Sequence, residues 1–169
     1  MILVALGANL PSPAFGPPKE TLEAALRVFP EYDLEVLARS PWYHTAPVPI
    51  SDQSWFVNGV VSIATSLAPH ATLVGLQAIE ERFGRVRSAP NAARTLDLDL
   101  LAYGNTILME EGNTLPRLTL PHPRLGDRAF VLYPLRDVAP GWRHPVSGES
   151  VDDLVAALPQ GQEISRLPT

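Results

Sequence analysis

The chain contains no cysteine, which removes disulfides, thiolate nucleophiles and zinc–cysteine centres from its available chemistry. It has one lysine, Lys19, so it carries no Gly-Lys-Ser/Thr phosphate loop, and a bound nucleotide would have to be held by arginine and metal. No apolar run is long enough to cross a bilayer. The apolar start Met1–Leu6 lacks a basic leader and a cleavage site, so it reads as a strand and the chain is expected in the cytoplasm. A net charge of −5 is the wrong sign for an extended nucleic-acid surface, though it leaves room for a local basic pocket. What remains is a 169-residue chain, 46% hydrophobic, long enough to bury one sizeable core, and it is read as a single domain over 1–169.

The densest chemistry lies in Arg94-Thr95-Leu96-Asp97-Leu98-Asp99-Leu100-Leu101. Leucines alternate with polar residues at the period of a half-buried strand, placing Asp97 and Asp99 on one face with Cα atoms roughly 7 Å apart. Two carboxylates at ~5 Å repel by about 3 kcal/mol at an effective dielectric of ~20, so a positive charge is expected beside them. Mg²⁺ suits such a pair, because it takes hard oxygen ligands from one or two carboxylates and fills its octahedron with water and phosphate. Arg85, Arg87 and Arg94 precede the pair in a loop, and guanidinium forks beside a metal site are what phosphate transfer needs. Surface ion pairs and a solvated strand face are the bland alternative.

Along the chain, periodicity predicts a strand at Met1–Ala8, a Pro/Gly-rich loop at Pro11–Pro18 and a helix over Lys19–Phe29 stopped by Pro30. A second strand follows at Leu34–Ser40, then a Pro-rich loop over Pro41–Ser54. A long strand over Trp55–Thr65 puts Val57, Val61 and Ile63 on one face, with Phe56, Asn58 and Val60 on the other. A helix over Pro69–Phe83 buries Leu73, Leu76, Ile79 and Phe83, with Gly84 just past its end. Arg128–Val138 reads either as a helix interrupted by Pro134 or as extended chain, and Ser150 with Asp153 reads as a helix N-cap. The order strand–helix–strand–strand–helix–strand predicts a ferredoxin-like α+β core, an antiparallel sheet with helices packed on it.

Other residues stand out singly. Asn58 sits in an apolar strand, where its amide either reads a heterocycle edge or bonds backbone groups. Phe56 and Phe130 could stack on a flat ring or simply fill the core. His122 is held between two prolines, and Gln77 and Glu80 share a helix face.

The motifs LGANL, YHTAPV, DQSWFVN, LQAIEERFGRVR, ARTLDLDLL, LPHPR, DRAFVLYPL and PVSG together resemble the 6-hydroxymethyl-7,8-dihydropterin pyrophosphokinase family over about residues 1–148. The resemblance implies transfer of pyrophosphate from ATP to the pterin hydroxymethyl group in folate biosynthesis, releasing AMP, with two Mg²⁺ ions accompanying ATP. It implies that Asp97 and Asp99 hold the metal, and that they act in catalysis with Arg85 and Arg94. It places Gln77, Glu80, Arg85, Arg87, Arg94, Leu100, Arg117, Thr119, His122 and Arg128 around ATP. It places Thr45, Pro47, Val48, Phe56, Asn58, Asp97 and Phe130 around the pterin. The expected partners are these two small molecules alone, with no nucleic acid or membrane, and the chain is expected to be a monomer. The loop RVRSAPNAAR departs from the family in being one residue shorter than in some members and in carrying Pro90. The alternative from another class is a ferredoxin-like module that binds a small ligand without turnover.

Overall fold

Strand β1 (Ile2–Ala8) lies between two neighbours in an antiparallel sheet and is buried on both faces, because Val4 and Leu6 pack into one hydrophobic cluster and Leu3 and Ala5 into a second. The computed structural model describes residues 1–85, 93–110 and 117–168. After β1 come helix α1 (Pro18–Val28), β2 (Glu35–Arg39), β3 (Tyr43–Thr45), β4 (Phe56–Ala64), helix α2 (Pro69–Arg82) and β5 (Asp97–Tyr103). A two-stranded hairpin of β6 (Leu108–Met109) and β7 (Thr119–Leu120) follows, then α3 (Ala129–Val138), α4 (Val151–Ala156) and β8 (Ile164–Arg166). The main sheet runs β5-β1-β4-β3-β8, with β2 also paired to β4. This is the expected antiparallel α+β arrangement.

The two helices of the ferredoxin-like core start at proline, whose fixed φ and missing N–H suit the first helical turn. In α1, Leu22, Ala25 and Leu26 are buried at helical spacing. In α2, Leu76 and Ile79 are fully buried and Phe83 nearly so, while Leu73 packs at the margin. Gly84 then takes a φ of 85°, the left-handed position that ends a helix without a Cβ clash. These side chains pack on Val4, Leu6, Val57, Val61, Ile63, Leu98 and Leu100, one face of the sheet. Fully burying one such side chain is worth roughly 1.5–3 kcal/mol, so this layer is the main source of stability. Gly59 serves the same layer: a Cβ there would stand 2.6 Å from the Trp42 ring.

The opposite face changes character along its length. Leu3, Ala5, Val60 and Leu101 pack against Val131, Leu132 and Leu135 of α3 and Val151 and Leu154 of α4. Beyond Ala5 the same face carries Gly7, Asn58, Asp97 and Asp99, and α3 and α4 leave it open as the floor of a cleft.

Some expectations need correction, while the N-cap at Ser150 holds and the open reading of Arg128–Val138 is decided. Tyr43–Thr45 is a strand inside a stretch read as loop. β7 and β8 lie where no element was expected. Arg128–Val138 is a helix from Ala129; it runs through Pro134, which gives up one intrahelical bond while its neighbours pack on the sheet. Ser150 and Asp153 form a reciprocal capping box, each side chain bonding the other's backbone N–H at 3.1 Å. No helix among the described residues is long and apolar enough to cross a membrane.

Candidate functional site

The floor of the cleft is set by strand register. Gly7 lies directly opposite Asn58 of β4 on one side and Asp97 of β5 on the other, and Ala5 lies opposite Asp99. Residues paired across antiparallel strands share a face, so an amide and two carboxylates line up across three strands.

On the amide side, Asn58 is buried and its Nδ2 donates to Thr45 Oγ1 at 2.6 Å. Phe56, two residues earlier on the same face, and Phe130 at the start of α3 both line the cavity above. Pro47 and Val48 form part of its rim. This cavity measures about 270 Å³, which suits a small ligand.

The carboxylate side is densely charged. Asp97 receives Arg85 at 2.7 Å on Oδ1 and Arg94 at 3.1 Å on Oδ2. Arg85 also bonds the buried Glu80, whose Oε2 accepts the Leu98 N–H at 2.8 Å. Burial by itself would lower Arg85, but Glu80 and Asp97 hold its guanidinium firmly in the charged form. Burial pushes Glu80 up to about 7, against the pull of the Leu98 N–H and Arg85. Thus Glu80 braces Arg85 and β5 together.

Asp99 makes no hydrogen bond or ion pair among the described residues, and its pKa is pushed up to about 7, first by burial and then by the neighbouring Asp97 charge. A carboxylate that nothing neutralises fully, beside a second on the same face, is a donor pair for a hard divalent cation. No group of three His, Asp or Glu side chains among the described residues could complete a protein cage. The paired carboxylates fit Mg²⁺ by their hard oxygen donors, since that ion needs few protein ligands when phosphate oxygens supply the rest.

Arg128 and His122 close the roof. The Arg128 guanidinium lies 5.4 Å from the Phe130 ring centre, and its buried Nε has no hydrogen-bond partner among the described residues. His122 Nδ1 accepts the Arg124 N–H at 3.1 Å, which leaves the ring proton on Nε2. Burial and then Arg128 lower its pKa to about 4, so the ring is neutral at pH 7.

A second cavity of about 310 Å³ continues from the first. Gln77, Glu80, Arg85, Leu100, Arg117 and Thr119 line it, whereas Arg128 lines the first. Arg94, Asp97, Asp99 and His122 line both, so they stand where the cavities meet. Of the expected site residues, Thr45 sits behind the wall as the partner of Asn58, and Arg87 lies outside the described residues, as does Pro90.

Sequence reading missed Asn9, which is buried and fully used. Its Oδ1 accepts the Arg94 N–H at 2.8 Å, and its Nδ2 donates to Gln53 Oε1 and to the Ser54 carbonyl. A polar amide directly after a buried strand, in Gly7-Ala8-Asn9, was the available signal.

The fold matches solved structures of fused proteins. One is described as HPPK-DHPS in complex with substrates, at TM-score 0.70 and 15% identity, over 92% of this chain and 42% of that one. Another is the wild-type HPPK-DHPS of Plasmodium falciparum with pteroate, also at TM-score 0.70 and 15% identity, over 92% and 43% of the two chains. At such identity the likeness concerns the fold, and this chain spans about two-fifths of those chains. Residues 3–140 match the family described as 7,8-dihydro-6-hydroxymethylpterin-pyrophosphokinase (HPPK), and the chain belongs to that family. Among curated relatives, the 2-amino-4-hydroxy-6-hydroxymethyldihydropteridine pyrophosphokinase of Pseudomonas aeruginosa is 45% identical over 99% of this chain and 96% of its own length. The Haemophilus influenzae protein of the same name is 40% identical, over 97% and 88%.

Proposed function

We propose that this chain transfers the β,γ-pyrophosphoryl group of ATP to the hydroxymethyl oxygen of 6-hydroxymethyl-7,8-dihydropterin, releasing AMP, as a step of folate biosynthesis. The observation that carries the reading is the meeting of two cavities at Arg94, Asp97, Asp99 and His122. One cavity offers an amide and two aromatics; the other offers arginines and polar groups.

In this reading the pterin ring lies between Phe56 and Phe130, its edge bonded by the Asn58 amide, with Pro47, Val48 and the Thr45 region enclosing it. Its hydroxymethyl group then points toward Asp97. ATP lies along the second cavity, against Gln77, Glu80, Leu100, Arg117 and Thr119, and Arg87 is a further phosphate contact on the family resemblance alone. The hydroxymethyl oxygen gives up its proton to solvent and bonds the β-phosphorus, the bond to the α–β bridging oxygen breaks, and that oxygen leaves with AMP.

Asp97 and Asp99 are the residues that would hold Mg²⁺, two ions accompanying ATP, which supplies charge neutralisation along the phosphates and orients the attacking oxygen. Arg85 and Arg94 both pair with Asp97. They can exchange that carboxylate for phosphate oxygens and stabilise charge as it develops. Neutral His122 presents an Nε2–H donor, and Arg128 adds a buried cation with an uncommitted Nε–H. Both suit phosphate oxygens. We further propose that the protein acts as a monomeric single domain in the cytoplasm, without nucleic-acid or membrane partners.

The test is to mix purified protein with ATP, Mg²⁺ and the pterin and to identify the nucleotide product. AMP that depends on the pterin, without ADP, is expected. ADP would mean ordinary phosphoryl transfer, and binding of both substrates without turnover would favour a ligand-binding module.

A further inference from the structure

Gly7 occupies the centre of the cleft floor, one strand away from Asn58 and one strand away from Asp97. A Cβ built on Gly7 would stand 2.6 Å from Asn58 Oδ1 and 3.6 Å from Asn58 Cγ. The Asn58 side chain therefore lies across the space that any other residue would fill. From the other side, Thr45 Oγ1 accepts one Asn58 Nδ2 proton at 2.6 Å, and Thr45 is itself buried. The amide is thus fixed between an acceptor and an emptiness. A buried amide has two donors and two acceptor positions; Thr45 takes one donor, and the remainder face the cavity that Asn58 and Gly7 both line.

We propose that Gly7 and Thr45 are positioning residues that determine ligand specificity: together they set the plane and the donor–acceptor order of the Asn58 amide. Gly7 acts by lacking a side chain: the Asn58 amide lies over the space a Cβ would take. A flat heterocycle edge carrying adjacent donor and acceptor groups fits the amide's remaining donor and acceptor positions. The ATP cavity does not include Gly7, Thr45 or Asn58. This proposal rests on the pterin reading above and deepens it.

Gly7→Ala forces the amide to turn or shift, while the strand keeps its backbone pairing. In titrations with 6-hydroxymethyl-7,8-dihydropterin in the presence of Mg²⁺ and a non-hydrolysable ATP analogue, pterin affinity is expected to fall about tenfold or more. Affinity for the analogue alone should stay within about twofold. In an Asn58→Ala background, adding Gly7→Ala should cost little further, because the clash partner is gone. Thr45→Val removes the acceptor without changing shape much, and should lower pterin affinity even if Gly7→Ala folds poorly.

A ligand-free measurement separates this proposal from the pterin reading. The Asn58 side-chain amide resonances should move in Gly7→Ala and in Thr45→Val. Unchanged resonances, or an equal Gly7→Ala loss with and without Asn58, would overturn the positioning role. Moved resonances in a protein whose parent form binds no pterin would keep the positioning role and overturn the pterin reading.

Discussion

Asn58 and Asp97 flank the same glycine on the same sheet face, yet their surroundings are built by opposite means. Asn58 is held by one neutral hydrogen bond that it donates to a strand residue, beneath aromatic and proline side chains. Asp97 is held by two arginines, one of them braced by a buried glutamate. The amide half is fixed by the protein's own hydrogen bond, so it can select by shape and hydrogen-bond order. The charged half is only provisionally paired. Asp99 lacks a partner among the described residues, and the arginines rest on a carboxylate that is also a candidate metal ligand. A preformed half suits a rigid, nearly neutral ring, whereas a charge-rich half suits a polyphosphate that brings its own cations.

The comparison can be broken most forcefully on the charged side. Asp97→Ala or Asp99→Ala should lower AMP formation by roughly 10³-fold or more while leaving the circular-dichroism spectrum native. Full activity in either variant would remove the metal role. Arg94→Ala should reduce kcat by ~10²-fold or more with a much smaller change in pterin affinity. A pure rise in KM would instead make Arg94 a binding residue.

On the amide side, Asn58→Ala should raise the pterin KM about tenfold or more and leave the KM for ATP unchanged, as steady-state kinetics can separate. The smallest effect sharpens the contrast through pH. Asp99 has a folded-state pKa raised to about 7 from its ordinary 3.8. The folded protein therefore holds a proton that the unfolded chain has lost, and metal-free stability should fall as pH rises from about 4 through about 7. Urea denaturation at pH 5 and pH 8 would show this, and Asp99→Asn should flatten the slope. Mg²⁺ with ATP should bind more tightly as pH rises over the same range, because the ligand must be deprotonated.

The same contrast governs what could be read in advance. β1, β4, β5, α1 and α2 announce themselves because long runs of alternating or helical spacing reflect faces that are buried along their whole length. β3, β6, β7 and β8 are two or three residues long and leave no period to detect; pairing partners distant in sequence define them. Asp97 and Asp99 were legible as a same-face pair, since strand geometry alone fixes that. Which arginines would rest on Asp97, and that Glu80 would turn inward to brace one of them, depends on tertiary packing. Gly7 was legible only as the end of a strand. Its role is an absence, and it acquires meaning once Asn58 is placed opposite.

The two halves meet at one point, where Arg94, Asp97, Asp99 and His122 border both cavities. A crystal structure with the pterin, Mg²⁺ and a non-hydrolysable ATP analogue tests it most directly. The ring is expected between Phe56 and Phe130, its edge on Asn58, and the hydroxymethyl oxygen ~3–3.5 Å from the β-phosphorus beside Asp97 and Asp99. Phosphates bound away from those carboxylates, or a hydroxymethyl group turned away from them, would contradict it.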